Sequence, residues 1–293
     1  MKKYLQLMRP RHYIKNLLIF VPMVFDLQLF SPSSLLCVLG GFAAFSLLAS
    51  AVYIFNDIHD ADSDRLHEVK KNRPIASGAV SITAAYVLAG LLLASGAAIH
   101  LICGFGMSCV LIAGLYFVVN LGYSMGLKHI PILDIVLLML GFLLRVMYGA
   151  AIIKGYVSSW VYLTIISLSF YLGLGKRRNE LRKAGGGIGA TRKVLSFYSY
   201  EFLDKFMYLC LTLAIAFYAL WSADKDIAEK FGTDKLVWTV PMVIVLMMKY
   251  SADIESNSYG DPVDVITHDK WLMVLSGLFA IILMGLIYLP RYI

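Results

Sequence analysis

The chain has 293 residues, 59% of them apolar and 15% charged, with a formal net charge of +7 and a mean hydropathy of +0.74. Soluble domains carry roughly 45–50% apolar and about 25% charged residues, so this composition excludes a water-soluble globule and points to an all-α, polytopic membrane protein. In such a chain the placement of the bases speaks to topology more than their sum speaks to a polyanion, and no nucleic-acid partner is expected.

The amino-terminal stretch carries Lys2, Lys3, Arg9, Arg11 and Lys15 before an apolar core can form, and no small-residue cleavage site follows. The first apolar segment is therefore expected to stay in the mature protein. Apolar windows fall at about 17–35, 36–56, 82–102, 104–123, 132–152, 157–175, 203–222, 236–252 and 271–290, each near the ~20 residues that a spanning helix needs. The first holds Pro22 and Asp26 and is the weakest. Nine spans leave no room for a sizeable extramembrane domain, so residues 1–293 are expected to form one integral membrane domain. The longer polar connections are 57–81, 176–202 and 249–270.

With the amino end in the cytoplasm, 20 of the 26 bases and 14 of the 19 acids fall on the inner side. That is a strong positive-inside signal, and the gathering of both signs marks this face as the active one. Cys37, Cys103, Cys109 and Cys210 lie in apolar runs without a C-x-x-C pair, so neither a disulfide framework nor a zinc site is expected.

At the end of the second window stands Asn56-Asp57-Ile58-His59-Asp60-Ala61-Asp62-Ser63-Asp64-Arg65. On a continuing helix, a step of about 100° per residue gathers Asn56, Asp57, Asp60 and Asp64 on one side and turns Asp62 away. Like charges on one helical face repel unless a cation lies between them. Mg²⁺ takes oxygen ligands from a few carboxylates and from substrate phosphates, so the pattern points to a Mg²⁺-diphosphate site. The alternative is an acidic helix end neutralised by the bases that follow, although a solvated run has no need of Asn56 and Asp57 abutting an apolar span.

The next polar stretch, Lys70-Lys71-Asn72-Arg73-Pro74, offers Lys71 and Arg73 to phosphate oxygens, and Arg73 can hold two at once. By itself such a juxtamembrane cluster also serves as a topology or anionic-lipid signal. Between the fourth and fifth windows, Tyr123 through Asp134 includes Lys128, a candidate phosphate ligand, and Asp134, a candidate metal or hydroxyl ligand. Arg145 falls mid-window, where a charge is costly unless it faces a partner or a wet cavity. It shares a face with Asp134 but lies about 16 Å further along the helix, so it either lines a common cavity or pairs with another helix. Lys176-Arg177-Arg178-Asn179-Glu180 closes the sixth window and adds Lys176 and Arg177 as phosphate ligands. The run Gly185–Gly189 lacks a G-K-[ST] ending and reads as a flexible loop or a lid.

The N-D-x-x-D-x-x-x-D pattern of Asn56, Asp57, Asp60 and Asp64 resembles the first hallmark of the UbiA-type intramembrane prenyltransferase superfamily. Within that superfamily, Arg9-Pro10 with Lys15-Asn16, residues 56–78, Tyr123 through Asp134, Gly141 through Arg145, Lys176-Arg177 with Glu180, and Tyr259-Gly260-Asp261-Pro262 resemble the branch that transfers phosphoribosyl groups. The resemblance implies a nine-helix bundle around a central cavity in a bacterial inner membrane, with its site toward the cytoplasm. It implies Mg²⁺ on Asn56, Asp57, Asp60 and Asp64, and phosphoribosyl diphosphate and a polyprenyl phosphate as substrates. Asp57, Asp60, Asp64, Lys128 and Arg145 are then expected to be catalytic. Arg9, Lys15, Asn16, Lys71, Arg73, Tyr123, Asp134, Lys176, Arg177 and Glu180 are expected to bind substrate, and a homo-oligomer is compatible.

One departure bears on the branch. Lipophilic prenyltransferases carry a second aspartate-rich motif near the sixth span, whereas residues 170–200 here contain no Asp and a single acid, Glu180, beside eight bases at 176–205. One acidic cluster with many bases suits a substrate bearing a diphosphate and a further phosphate. The rival reading is transfer of a prenyl chain from its diphosphate to an aromatic or other small acceptor. A carrier, from a different functional class, does not call for three carboxylates converging at one surface.

Overall fold

The computed structural model describes residues 2–66, 69–183, 193–256 and 262–291, which form helices and turns without a strand. The chain divides into two compact units, Met1–Tyr156 and Val157–Ile293.

The first unit opens with α1 (Lys2–Met8), an eleven-residue 3₁₀ stretch (Pro10–Phe20) and α2 (Val21–Phe25). It continues with α3 (Pro32–His59), α4 (Ala61–Arg65), α5 (Ile82–Ile102), α6 (Met107–Ser124) and α7 (Leu133–Ile153). Ser31 caps α3 with Pro32 in its first turn, and Ser81 accepts from the Ala84 N–H at 3.2 Å to start α5, both ordinary helix-start chemistry. The 28 residues of α3 extend about 42 Å. That exceeds the ~30 Å hydrocarbon core, long enough for the last turn, with Asn56 and Asp57, to reach a polar zone.

The window 17–35 is not one spanning helix. Pro22 sits in the first turn of α2, and Leu27 takes φ 60 just before α3 begins. The chain instead runs as a broken strap, the 3₁₀ stretch followed by the short α2, over α3 and α7, where Ile19 and Met23 join Phe45, Tyr116, Leu144 and Tyr148 in a buried cluster. The strap approaches so closely that a Cβ built on Gly149 would lie 2.0 Å from the Ile19 carbonyl oxygen. Backbone on both sides cannot yield as a side chain can. Gly149→Ala is therefore expected to destabilise the protein by roughly 3 kcal/mol, the upper part of the overpacking range, seen as a lowered Tm in detergent or nanodiscs. An unchanged Tm would contradict the close packing.

The second unit holds α8 (Ser159–Lys183), α9 (Tyr200–Ala223), α10 (Lys225–Phe231), α11 (Val240–Ser256), α12 (Pro262–His268) and α13 (Lys270–Tyr288). Caps at Ser199, Asp224 and Asp269 start α9, α10 and α13, and α8 packs chiefly on α9.

Among the described residues, seven helices are long and apolar enough to cross a membrane: α3, α5, α6, α7, α9, α11 with its 3₁₀ lead-in, and α13. The nine expected windows are thus not nine equivalent spans. The first is broken as described. The sixth forms α8, whose 25 residues include Ser159, Thr164, Ser167 and Ser169 and a basic end that dilute its apolar character. The Gly185–Gly189 run and Tyr259-Gly260-Asp261 lie outside the described residues.

Candidate active site

The helical course at the end of α3 barely breaks. α3 stops at His59 and α4 begins at Ala61, yet the Asp60 N–H donates to the Asn56 carbonyl at 2.9 Å and the Asp64 N–H to the Asp60 carbonyl at 2.8 Å. The register set by the sequence is therefore kept. Asp57 and Asp64 are buried and Asp60 is largely covered, while Asp62 is 94% exposed and pairs with Arg65.

Three bases from distant parts of the first unit close on these carboxylates. Arg9 donates through Nη2 to Asp57 Oδ1 at 2.5 Å with its guanidinium 5.1 Å over the Tyr53 ring. Arg73 places a single nitrogen, Nη1, 3.1 Å from Asp57 Oδ1 and 2.6 Å from Asp64 Oδ2. Lys128 Nζ lies 2.5 Å from Asp60 Oδ1. The other oxygen of Asp60 accepts from Asn56 Nδ2 at 3.1 Å, and Asn56 Oδ1 accepts from Ser124 Oγ at 3.2 Å. Ser124 was not singled out in the sequence, where it is one small polar residue at the end of an apolar run.

Three negative and three positive charges are thus interlocked, with capacity to spare. Among the described residues, Asp57 Oδ2 and Asp64 Oδ1 accept no hydrogen bond. Nε and Nη1 of Arg9 and Nε and Nη2 of Arg73 donate none. No three Asp, Glu, His or Cys side chains among the described residues form a metal-binding group of their own. The residues nevertheless fit a hard divalent cation, because one cationic nitrogen already spans Asp57 and Asp64 and Mg²⁺ ordinarily takes only one or two carboxylates, completing its shell with water and substrate phosphate. The unspent guanidinium donors suit phosphate oxygens.

The other expected site residues fall in different settings. Lys71 is exposed, Lys15 and Tyr123 are half-buried and Asp134 is fully buried in the first turn of α7. Asn16, expected at the substrate, is buried with both ends of its amide engaged: Arg145 Nε donates to its Oδ1 at 2.7 Å and its Nδ2 donates to Ser46 Oγ at 2.9 Å. Arg145, expected among the catalytic group, lies in the core of the first unit instead. Its ring contact, Phe45, is twelve positions before Asp57 on α3, about 18 Å along the axis.

In the second unit, Lys176 is half-buried and Arg177 is fully buried, with Arg177 bound to Glu180 at 2.8 Å. Its neighbour Arg178, also buried, pairs with Asp204 of α9 and Glu255 of α11 and lies against the rings of Tyr200 and Tyr208. Part of the basic end of α8 is thereby structural, tying α8 to α9 and α11. Lys249 of α11 pairs with Asp253 one turn on and with Asp269, the cap of α13, and the Lys249 ammonium together with the Leu272 N–H holds the Asp269 carboxyl below the usual carboxylate range.

Residues 18–231 match the model of the UbiA prenyltransferase family. A decaprenyl-phosphate phosphoribosyltransferase of Corynebacterium glutamicum is 31% identical over 275 residues, covering 92% of this chain and 82% of that protein. The enzyme of the same name from Mycolicibacterium smegmatis is 32% identical over 279 residues, covering 91% and 86%. In fold, the chain resembles a UbiA homolog from Archaeoglobus fulgidus bound to GPP and Mg²⁺, with a TM-score of 0.72 at 19% identity over 99% of this chain and 100% of that one. A UbiA homolog from Aeropyrum pernix K1 gives a TM-score of 0.64 at 18% identity over 94% and 98%.

Proposed function

Because the chain belongs to the UbiA prenyltransferase family, we propose that it transfers the 5-phosphoribosyl group of phosphoribosyl diphosphate to a polyprenyl phosphate, releasing diphosphate, at the cytoplasmic face of a bacterial inner membrane. The likeness to two decaprenyl-phosphate phosphoribosyltransferases over more than nine-tenths of the chain supports the donor and acceptor. The observation that carries the chemistry is the interlocked cluster of Asp57, Asp60, Asp64, Arg9, Arg73 and Lys128 with its unspent oxygens and N–H groups.

In this reading Asp57 and Asp64 would hold Mg²⁺, and Asn56 keeps Asp60 oriented. When bound, the ion neutralises charge on the departing diphosphate. Arg73 and Lys128, with the exposed Lys71, take phosphate oxygens of the donor, and Arg9 and Lys15 hold the lipid phosphate. The fixed cations stabilise the charge that builds as the C1–oxygen bond to diphosphate breaks. A lipid phosphate oxygen forms the new bond to C1. That oxygen is already anionic, so no side chain has to remove a proton.

The test is to incubate the purified protein in nanodiscs with phosphoribosyl diphosphate labelled in the ribose, a polyprenyl phosphate and Mg²⁺. The expected result is label in the extracted lipid, with a mass gain of one phosphoribosyl group. Absence of labelled lipid, alongside turnover of a prenyl diphosphate with an aromatic acceptor, would establish the rival prenyl transfer.

A further inference from the structure

We infer that Arg145 is a positioning residue: by gripping Asn16 it holds the Pro10–Phe20 strap on α3 in the register that sets Arg9 against Asp57.

Arg145 is 5% exposed in the middle of a membrane-spanning helix, and among the described residues it meets no carboxylate. Its guanidinium donates to three neutral acceptors, Asn16 Oδ1 at 2.7 Å, the Gly141 carbonyl at 2.5 Å and the Tyr116 hydroxyl at 3.0 Å. It also sits 5.4 Å and 4.9 Å from the Phe45 and Tyr116 ring centroids. A cation at this depth without a counter-ion is costly, and an apolar side chain of similar volume would fill the space more cheaply. What an apolar residue cannot do is hold the Asn16 amide. A guanidinium only donates, so Asn16 Oδ1 must face Arg145 and Nδ2 is directed to Ser46.

The strap needs such a grip. 3₁₀ runs longer than three or four residues are uncommon because their hydrogen bonds are poorly aligned, yet this one has 11 residues. It is held from outside, in antiparallel register along α3. Asn16 meets Ser46. Ser50 meets both the Tyr13 hydroxyl at 2.7 Å and the Met8 carbonyl at 2.9 Å. Tyr53 meets His12 and Arg9, and Asp57 meets Arg9. Arg9 itself has φ 54 and ψ 57, a left-handed conformation that a non-glycine residue keeps only where its surroundings fix it. Arg145 anchors the far end of this ladder and Arg9 stands at its working end. The effect on rate rests on the phosphoribosyl-transfer reading, whereas the effect on the strap does not.

Two measurements on the full chain in nanodiscs test the inference. The strap contains two trypsin sites, after Arg11 and Lys15. With Arg145→Met, cleavage there is expected to speed up roughly tenfold, since the Asn16 anchor contributes about that factor to local opening. In the transfer assay, Arg145→Met is expected to lower kcat/KM, and the Arg9→Ala/Arg145→Met double variant to be no slower than Arg9→Ala within about twofold, because residues acting as a unit are non-additive. Arg145→Lys, which keeps a donor, should recover part of the rate. Should Arg145→Met not fold, Ser46→Ala loosens the same amide without altering charge, with the same directions expected. Unchanged cleavage of the strap overturns the inference. So does a double variant whose losses multiply, which would mark Arg145 as acting on the fold or substrate independently of Arg9. If no transfer occurs even in the unmodified protein, the functional reading fails while the cleavage result still decides the positioning role.

Discussion

Asp57→Asn lowers kcat/KM for phosphoribosyl transfer by about a thousandfold, or ~4 kcal/mol of transition-state stabilisation. The substitution nearly preserves shape. An asparagine oxygen can stay where Asp57 Oδ1 now accepts from Arg9 and Arg73, but its amide nitrogen then replaces Oδ2, the oxygen left open for a cation. A donor in that place repels Mg²⁺ where the carboxylate attracts it, and the loss of one negative charge leaves Arg9 with no anionic partner among the described residues. Because Arg9 is partly exposed and Arg73 keeps Asp64, the fold should lose only about 1–2 kcal/mol, less than for a fully buried broken pair. The rate in the lipid-labelling assay and the Tm separate the two effects. A variant within tenfold of the unmodified rate would remove Asp57 from the machinery.

Arg73→Ala is expected to act on both rate and stability. Arg73 is the side chain whose one nitrogen reaches Asp57 and Asp64 together, and without it buried Asp64 loses its cationic partner beside Asp57, which keeps only Arg9. The fold should weaken by roughly 3 kcal/mol, and transfer should fall by about two to three orders of magnitude as a phosphate-binding donor is lost. The two carboxylates then compete more strongly for a divalent cation, and a ligand that binds only the folded state raises stability by mass action. Added Mg²⁺ should therefore raise the Tm of Arg73→Ala more than that of the unmodified protein, although the rate stays low. Equal Mg²⁺ effects on both proteins would show that Asp57 and Asp64 do not share the ion.

Part of this site is legible in the sequence because helical periodicity is a local property. The spacing of Asn56, Asp57, Asp60 and Asp64 fixes their common side and turns Asp62 outward, and the small break at Asp60 leaves that arrangement intact. The basic stretch Lys70–Arg73 is close enough in sequence to be offered as a partner. Lys128 could be nominated as a phosphate ligand, but its pairing with Asp60 joins residues 68 positions apart, and no periodicity encodes that.

The residues whose roles depend on packing were harder to read. Asn16 looks like a substrate ligand beside Lys15, yet it turns inward because the strap follows a 3₁₀ path instead of a spanning helix. Arg178 shares a basic run with Lys176 and Arg177, but Asp204 and Glu255 reach it from helices distant in sequence.

By itself the sequence determined the membrane class and the common side of Asn56, Asp57, Asp60 and Asp64, since hydropathy and periodicity act over one turn or one span. The tertiary structure decided which base meets which acid and what Arg145 does. The contacts that settle this, Arg9 with Asp57, Lys128 with Asp60 and Arg145 with Asn16, bridge separations of 48, 68 and 129 residues. They arise only when helices and the strap pack together, because burying each charge or amide requires a partner and packing alone fixes which partner is within reach.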